Sequence, residues 1–188
     1  IVDAVYAGAI AALAAAGGVL LDAAEKARLQ AAMWPEGKLA AQVTAQDAPR
    51  IAQIAGLERE ALQGARFLMV EETGAGPEFP FSGEKLSPVL AVYRARDFDH
   101  ACAIVGDIYA FQGAGHSVSI HSADDAHILR LGLELPVSRV IVNQIHCYAT
   151  GGSFDNGLPF SLSMGCGTWG RNNFSDNMNV RHYMNVTR

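Results

Sequence analysis

The feature that most constrains the fold is the alternation of short strand-like runs with helical segments along most of the chain. The strand-like runs are ARFLMVE at 65–71, PVLAVYRA at 88–95 and RVIVN at 139–143. Between the last two, residues 98–111 place apolar side chains at helical spacing, and a shorter strand-like run follows at 116–121. Strands that alternate with helices of this length indicate β-α-β units. We therefore predict a three-layer α/β fold, in which helices cover both faces of a mostly parallel sheet.

Helical patterns also fill the first third of the chain. Apolar residues over 5–13 share one helical face, and two glycines follow them. A second helix is predicted over 22–33, with an aspartate as its N-cap. A third is predicted over 49–55, which either Thr44 or Asp47 would cap.

The last part of the chain is predicted to be irregular. Residues 151–173 are rich in Gly, Asn and Ser, and their pattern is that of a long ordered loop. Six apolar side chains are expected to anchor this loop: Phe154, Leu158, Phe160, Leu162, Met164 and Trp169. Residues 180–188 are predicted to begin an exposed edge strand.

The composition argues against several functional classes. With 14 Lys and Arg against 19 Asp and Glu, the net charge is −5, and 50% of the residues are apolar. This hydrophobicity rules out a disordered chain, and the acidic balance argues against binding to nucleic acid or to a membrane surface. The apolar start is too short to span a bilayer, which needs about 20 apolar residues. Three cysteines without a C-x-x-C pair suggest no disulfide framework, so we expect a cytoplasmic protein.

The histidines do not have the spacing of a metal site. His116 and His121 flank one short strand and are expected to point to opposite faces of the sheet. His146 and Cys147 are adjacent in the sequence and should also diverge. Because a tetrahedral zinc site needs four convergent ligands, no metal is predicted.

Glu84 is the most informative carboxylate. It lies between a Gly- and Pro-rich loop and a strand with a buried pattern. One interpretation is a surface acid paired with Lys85, which the residues alone slightly favour. The other is an acid held at the end of a strand, where α/β proteins bind ligands.

Several of these runs together resemble the aldehyde dehydrogenase superfamily. The resemblance rests on GEKLSPVLAVYRARDF at 83–98, on Gly115-His116 and on RVIVN at 139–143. The later run SLSMGCGTWGRNNFSDN at 161–177 is similar to the CoA-acylating branch. That branch includes the dehydrogenase half of the aldehyde–alcohol dehydrogenases and the acylating sulfoacetaldehyde and succinate-semialdehyde enzymes. The resemblance covers nearly the whole chain and implies the catalytic domain of this family.

The resemblance implies an NAD- or NADP-dependent oxidoreductase that converts a small aldehyde and CoA to acyl-CoA through a cysteine thioester. None of the three cysteines matches the family nucleophile, which would lie about eight residues before Ile1. The dinucleotide-binding domain would also lie outside the chain. We therefore expect residues 1–188 to be one catalytic-domain fragment that is inactive alone, from a parent protein that forms homo-oligomers through the edge strand at 180–188.

Three residues match cofactor positions of the family. Glu84 matches the glutamate that accepts hydrogen bonds from the nicotinamide ribose, and a carboxylate suits a vicinal diol. Leu86 would form an apolar wall beside the nicotinamide, and Pro88 matches the proline of the same motif. The chain departs from its relatives at Gly83, where they have a histidine.

The segment after the RVIVN run resembles the wall of the aldehyde entrance. Four residues are expected to line it: Ile145, His146, Tyr148 and Phe154. The run GSFDNGLPFSLSMGCGTWG and the ending HYMNVTR resemble the sulfoacetaldehyde enzymes. This resemblance implies sulfoacetaldehyde as the substrate, with Arg171 or His146 as the candidates to meet its sulfonate. Two alternatives stay open: a hydrolytic dehydrogenase that gives a free acid, and a non-catalytic α/β binding or assembly domain.

Overall fold

The structure is a computed structural model that describes residues 1–187. It divides into two compact units, residues 1–112 and 113–188. The helices are α1 (Asp3–Ala15), α2 (Ala23–Met33), α3 (Ala48–Ile54), α4 (Phe98–Gln112), α5 (Asp125–Glu134) and α6 (His146–Ala149). The strands are β1 (Gly18–Leu20), β2 (Phe67–Glu71), β3 (Val89–Val92), β4 (Val118–Ile120) and β5 (Val140–Val142).

Residues 1–112 build a parallel sheet in the order β1-β2-β3. Leu68 pairs with Val89 across β2 and β3, and Gly18 pairs with Phe67 across β1 and β2. The sheet is covered by an apolar core whose fully buried members include Leu29, Met33, Ile51, Leu68 and Phe81. The predicted α/β class with parallel strands is confirmed.

The helix α2 begins at a capping box. The Asp22 carboxylate accepts from the Glu25 backbone N–H at 2.8 Å, and the Glu25 carboxylate accepts from the Asp22 N–H at 3.0 Å. Such a cap satisfies N–H groups that the first helical turn leaves unpaired, and is worth about 1 kcal/mol. The Asp47 carboxylate caps α3 through the Arg50 N–H at 2.8 Å, so Asp47 and not Thr44 is the cap.

The strand β1 was not expected from the sequence. It contains three residues and follows Gly17, whose φ of +97° suits only glycine without strain. Gly18 lies so close to the Phe67 ring that an added Cβ would come within 2.4 Å of it. The glycine pair therefore permits close strand packing as well as ending α1.

Residues 113–187 form a smaller unit around the parallel pair β4 and β5. Val118 pairs with Val140, and Ile120 pairs with Val142. The helix α5 starts at Asp124, whose carboxylate accepts from two backbone N–H groups. The irregular segment predicted over 151–173 is present, with only a short 3₁₀ turn at Thr168–Gly170.

The prediction that six apolar side chains anchor this segment is wrong for most of them. Phe154 is 97% exposed and Leu162 is 95% exposed, and Phe160 and Trp169 are also exposed. Leu158 and Met164 are only half-buried. The segment is instead held by polar side chains, because its backbone carbonyls find buried donors.

Residues 180–188 do not form the predicted strand where the structure describes them. Val180–His182 form a 3₁₀ turn, and none of the described residues 180–187 lies in a strand. The turn begins at Asn179, whose side chain accepts from the Arg181 N–H at 3.2 Å. Local capping therefore competes with the extended conformation. Arg188 lies outside the described residues, and pairing with another subunit stays a prediction.

No helix within residues 1–187 combines the length and the apolar character that crossing a membrane requires.

Candidate functional site

The loop that presents Glu84 is firmly anchored at its start. Phe81 is fully buried and meets the Trp34 ring edge-on, with ring centroids 4.8 Å apart. The Ser82 hydroxyl donates to the Phe79 carbonyl at 2.7 Å and accepts from the Gly76 N–H at 3.1 Å. This buried turn fixes the backbone immediately before the exposed carboxylate.

Lys85 fastens the same loop from the other side. Its ammonium donates to the carbonyl of Phe81 at 2.7 Å and to that of Gly83 at 2.8 Å. Burial lowers the pKa of Lys85 to about 8, although the charge of Glu72 opposes this shift. Lys85 therefore holds the loop together and is not the ionic partner of Glu84. The interpretation that Glu84 pairs with Lys85 at the surface is wrong.

The next residues return the loop to the sheet. Leu86 has a φ of +46°, which is unusual for a residue with a side chain, and it is 60% exposed. Its carbonyl accepts from the Ala45 N–H at 2.8 Å, and the Pro88 carbonyl accepts from the Leu68 N–H at 2.9 Å. The structure thus exposes Glu84 and Leu86 side by side at the start of β3 and ties Pro88 to the sheet.

A buried guanidinium organises residues 113–187. Arg139 is only 3% exposed and donates to the Asn177 side-chain oxygen at 2.7 Å. It also donates to three backbone carbonyls, those of Gly165 at 2.9 Å, Ser175 at 3.0 Å and His116 at 3.1 Å. Burial lowers the pKa of Arg139, and these acceptors offset the cost of removing the charge from water.

Asn177 extends this network to the irregular segment. It is 1% exposed, and its amide N–H groups donate to the carbonyls of Thr150 and Pro159, each at 2.8 Å. Arg139 and Asn177 together therefore hold both ends of the segment that the sequence analysis assigned to apolar anchors. The sequence analysis missed the contact between Arg139 and Asn177 because these residues are 38 positions apart and neither belongs to a short motif.

The smaller unit brings two histidines together through a serine. His116 Nδ1 lies 2.6 Å from Ser117 Oγ, which in turn lies 2.9 Å from His146 Nε2. Burial lowers the pKa of His146, and the nearby His116 lowers it further. The sequence analysis missed this cluster because the two histidines are 30 positions apart, and the contact depends on the turn between β5 and α6.

The other predicted lining residues form an exposed apolar surface. Ile145 is the N-cap of α6 and is 66% exposed, and Tyr148 is 75% exposed. Phe154 meets the Phe160 ring edge-on, with centroids 5.1 Å apart. Of the four predicted residues, only His146 makes polar contacts with another side chain of the described chain. Whether these residues line an aldehyde entrance stays a prediction.

A cavity of 390 Å³ lies beside the GCGTWG turn in the smaller unit. Its lining includes Ser138, Trp169, Asn172 and Phe174. Arg171, one of the two residues predicted to meet a sulfonate, is exposed and has a φ of +58°. It lies between two lining residues in the sequence.

The thiols do not join the histidines in a metal-binding cluster of the described residues. Within residues 1–187, Cys102, Cys147 and Cys166 form no disulfide bond, and no three metal-ligating side chains form a cluster. Gly170 packs against Cys166 so closely that an added Cβ would come within 2.3 Å of the Cys166 Cβ. The environment of Cys166 is that of a packed turn.

Comparisons with known proteins identify the relatives of this chain. It is 67% identical over 189 residues to an acylating sulfoacetaldehyde dehydrogenase of Cupriavidus necator, an alignment that covers 100% of the chain and 38% of that relative. It is 35% identical over 161 residues to an acetylating succinate-semialdehyde dehydrogenase of Clostridium kluyveri, covering 86% of the chain and 35% of the relative. No family model matches the chain.

The fold comparison points to the same relatives. The solved structure of an acetylating aldehyde dehydrogenase from Geobacillus thermoglucosidasius superposes with a TM-score of 0.89 at 32% identity. That alignment covers 96% of the chain and 39% of the solved structure. The chain therefore spans well under half the length of the proteins that it matches.

Proposed function

Because this chain is homologous to the acylating aldehyde dehydrogenases over its whole length, we propose that it takes part in NAD(P)⁺-dependent conversion of an aldehyde and CoA to acyl-CoA. The observation that carries this proposal is the 67% identity across 100% of the chain to an enzyme of that activity. The two relatives described above are acylating or acetylating enzymes, which favours this reaction over a hydrolytic dehydrogenase that gives a free acid.

The chemistry requires a cysteine thiolate that attacks the aldehyde and is left as a thioester. Cys102, Cys147 and Cys166 do not match the family nucleophile, so we propose that a cysteine outside residues 1–188 supplies it. Bound NAD(P)⁺ would accept the hydride. We therefore propose that the isolated chain has no dehydrogenase activity.

Glu84 is proposed to bind the nicotinamide ribose. Its exposed carboxylate presents only acceptors, which match two hydroxyl donors of a vicinal diol. The hydrogen bonds of Lys85 and the burial of Phe81 keep the loop backbone in place. Cofactor binding therefore does not carry the entropic cost of ordering this loop. Exposed Leu86 beside it offers the apolar contact proposed for the nicotinamide ring.

Sulfoacetaldehyde is the proposed substrate, and its support is the name of the 67% identical relative. The test compares kcat/KM of the full-length protein for sulfoacetaldehyde and for acetaldehyde, each with CoA and NAD⁺. The proposal predicts a clear preference for the sulfonated aldehyde, because a site built for an anion is left unpaired by a neutral substrate. Equal values for the two aldehydes would remove it.

We further propose that the full-length protein assembles into homo-oligomers. The smaller unit exposes several large apolar side chains, among them Leu162 and Val180, which a partner subunit would cover. Light scattering of the full-length protein gives the mass directly, and a monomer at micromolar concentration would exclude the proposal.

A further inference from the structure

A buried carboxylate directly follows β2, and the proposed reaction does not use it. The Glu72 side chain is only 2% exposed. Its Oε1 accepts from Lys26 Nζ and from the Thr73 N–H, each at 3.0 Å, and its backbone N–H donates to the Val92 carbonyl at 2.9 Å. Glu72 is therefore bonded both to α2 and to the sheet, at the strand ends where α/β proteins bind ligands.

The Lys26 ammonium connects this carboxylate to residues 79–85, the Glu84 loop. It donates to the Glu71 carbonyl at 2.6 Å and lies 5.9 Å from the centroid of the Phe81 ring. The negative face of an aromatic ring attracts a cation, and the attraction is stronger where water is excluded. Because Phe81 is fully buried, this contact holds the loop three residues before the exposed Glu84.

The charge of Glu72 also acts on the far end of the loop. Burial lowers the pKa of Lys85 to about 8, and the charge of Glu72 opposes this shift. Burial raises the pKa of Tyr93 to about 12, and the same carboxylate adds to that shift. One buried carboxylate thus interacts with two ammonium groups, those of Lys26 and Lys85, and with a phenol.

We propose that Lys26 and Glu72 are positioning residues for the nicotinamide site. The buried pair holds the backbone of the Glu84 loop through Phe81, and so fixes where the Glu84 carboxylate meets the ribose. Neither residue of the pair touches the cofactor, and the inference rests on the function proposed for Glu84. A loop without this anchor has to be ordered when the cofactor binds, which weakens binding.

An ion pair of this kind contributes little to stability by itself. Replacing both partners of a buried pair with uncharged residues is often neutral or stabilising, whereas removing one partner leaves a buried charge unpaired. Lys26→Met and Glu72→Gln should each destabilise the protein, and the two together, the loop-pair variant, should recover its stability. The anchor of the loop is not recovered, so the loop-pair variant separates positioning from stability.

A second buried pair on the same helix provides a matched control. The buried Glu25 carboxylate accepts from Arg59 Nε at 3.0 Å and from its Nη2 at 2.6 Å. The other side-chain hydrogen bonds of this pair go to the Leu20 carbonyl and the Asp22 N–H. Glu25→Gln keeps the capping box of α2, which accepts either Glu or Gln at this position. Arg59→Met with Glu25→Gln, the control-pair variant, therefore removes a comparable pair that bonds to β1 and to the start of α2.

Hydrogen exchange of the full-length protein without cofactor tests the positioning independently of activity. Three backbone N–H groups of the loop donate within residues 76–83, those of Phe79, Ser82 and Gly83. In the loop-pair variant, mass spectrometry should show that these groups exchange about tenfold faster, because the loop opens more easily. Peptides of β2 should exchange as in the wild type, and the control-pair variant should change neither. Unchanged exchange of the loop in the loop-pair variant would overturn the proposal.

Kinetics of the full-length protein give the functional readout. The loop-pair variant should raise KM for NAD⁺ about fivefold and leave kcat nearly unchanged, because ordering the loop costs binding and not chemistry. The control-pair variant should leave KM unchanged. Lys26→Arg, which keeps the charge beside Phe81, should match the wild type.

Glu84→Gln in the loop-pair variant tests whether the pair acts through Glu84. KM should then rise no further than in Glu84→Gln alone, because residues that act through one contact are not additive. Fold-changes that multiply would overturn action through Glu84. If the wild-type protein shows no NAD⁺-dependent turnover, the proposed function fails, while hydrogen exchange still decides whether the pair holds the loop.

Discussion

At the scale of single residues, Lys85 holds one loop in place, and the adjacent Glu84 is left exposed for its proposed contact with the nicotinamide ribose. The Lys85 ammonium donates to two carbonyls at 2.7 and 2.8 Å. Glu84 is exposed and makes no hydrogen bond or ion pair with other described residues. The sequence showed both residues as a plausible surface pair. The structure shows that Lys85 bonds to backbone carbonyls of its own loop, whereas Glu84 faces solvent.

Replacing Glu84 tests its proposed contact with the nicotinamide ribose. In the full-length protein, Glu84→Gln should raise KM for NAD⁺ by about tenfold, because hydrogen bonds to a charged group are worth about 1.5–3 kcal/mol. Steady-state kinetics at saturating CoA measure this change. Glu78→Gln, at an exposed position of the preceding loop, is the matched control and should leave KM unchanged.

Lys85 should make stability depend on pH in alkaline solution. Its folded-state pKa of about 8 lies below the unfolded value of 10.5, so the unfolded chain binds more protons between these values. Stability of the wild type relative to Lys85→Met should therefore rise as the pH increases from about 8 to 10.5. Urea unfolding of the chain across this range measures the difference, and a constant or falling difference would contradict the assignment.

At the scale of elements, the helix starts were predictable from N-cap residues close in the sequence, whereas the contacts that hold the irregular segment were not. Asp22 and Asp47 each cap a helix where the sequence predicts a start, because N-caps act over three or four residues. The segment 151–173 is instead held by Arg139 and Asn177, which lie far apart in the chain. The contact between Ser117 and His146 was missed for the same reason, because these two residues are also far apart in the sequence. Composition alone therefore suggested apolar anchors that the structure leaves exposed.

Removing the Arg139 side-chain donors should destabilise the smaller unit. Arg139→Met leaves the buried Gly165 carbonyl and the partly buried carbonyls of Ser175 and His116 without this donor, and we expect a loss of about 3 kcal/mol. Arg130→Gln on the surface of α5 loses an exposed pair with Glu134 and should cost less than about 0.5 kcal/mol. Denaturant unfolding compares the two variants, and equal stabilities would refute the role of Arg139.

At the scale of the whole molecule, the α/β class and the family were accessible from the sequence. Parallel β-α-β units follow from alternating patterns, and the family follows from long matching runs such as GEKLSPVLAVYRARDF. The arrangement of the site was less accessible. Its predicted residues fall in two compact units, with Glu84, Leu86 and Pro88 in one and Ile145, His146, Tyr148 and Phe154 in the other. Within each unit, contacts such as that of Arg139 with Asn177 depend on how segments distant in sequence pack, which periodicity does not encode.

The most direct test of the account identifies the product that the full-length protein makes from sulfoacetaldehyde and NAD⁺ with and without CoA. Mass spectrometry of the reaction should show the acyl-CoA thioester, with NADH formed in equal amount and only while CoA is present. A control without aldehyde should show neither product. Formation of free sulfoacetate at the same rate without CoA would contradict acyl transfer and favour the hydrolytic alternative.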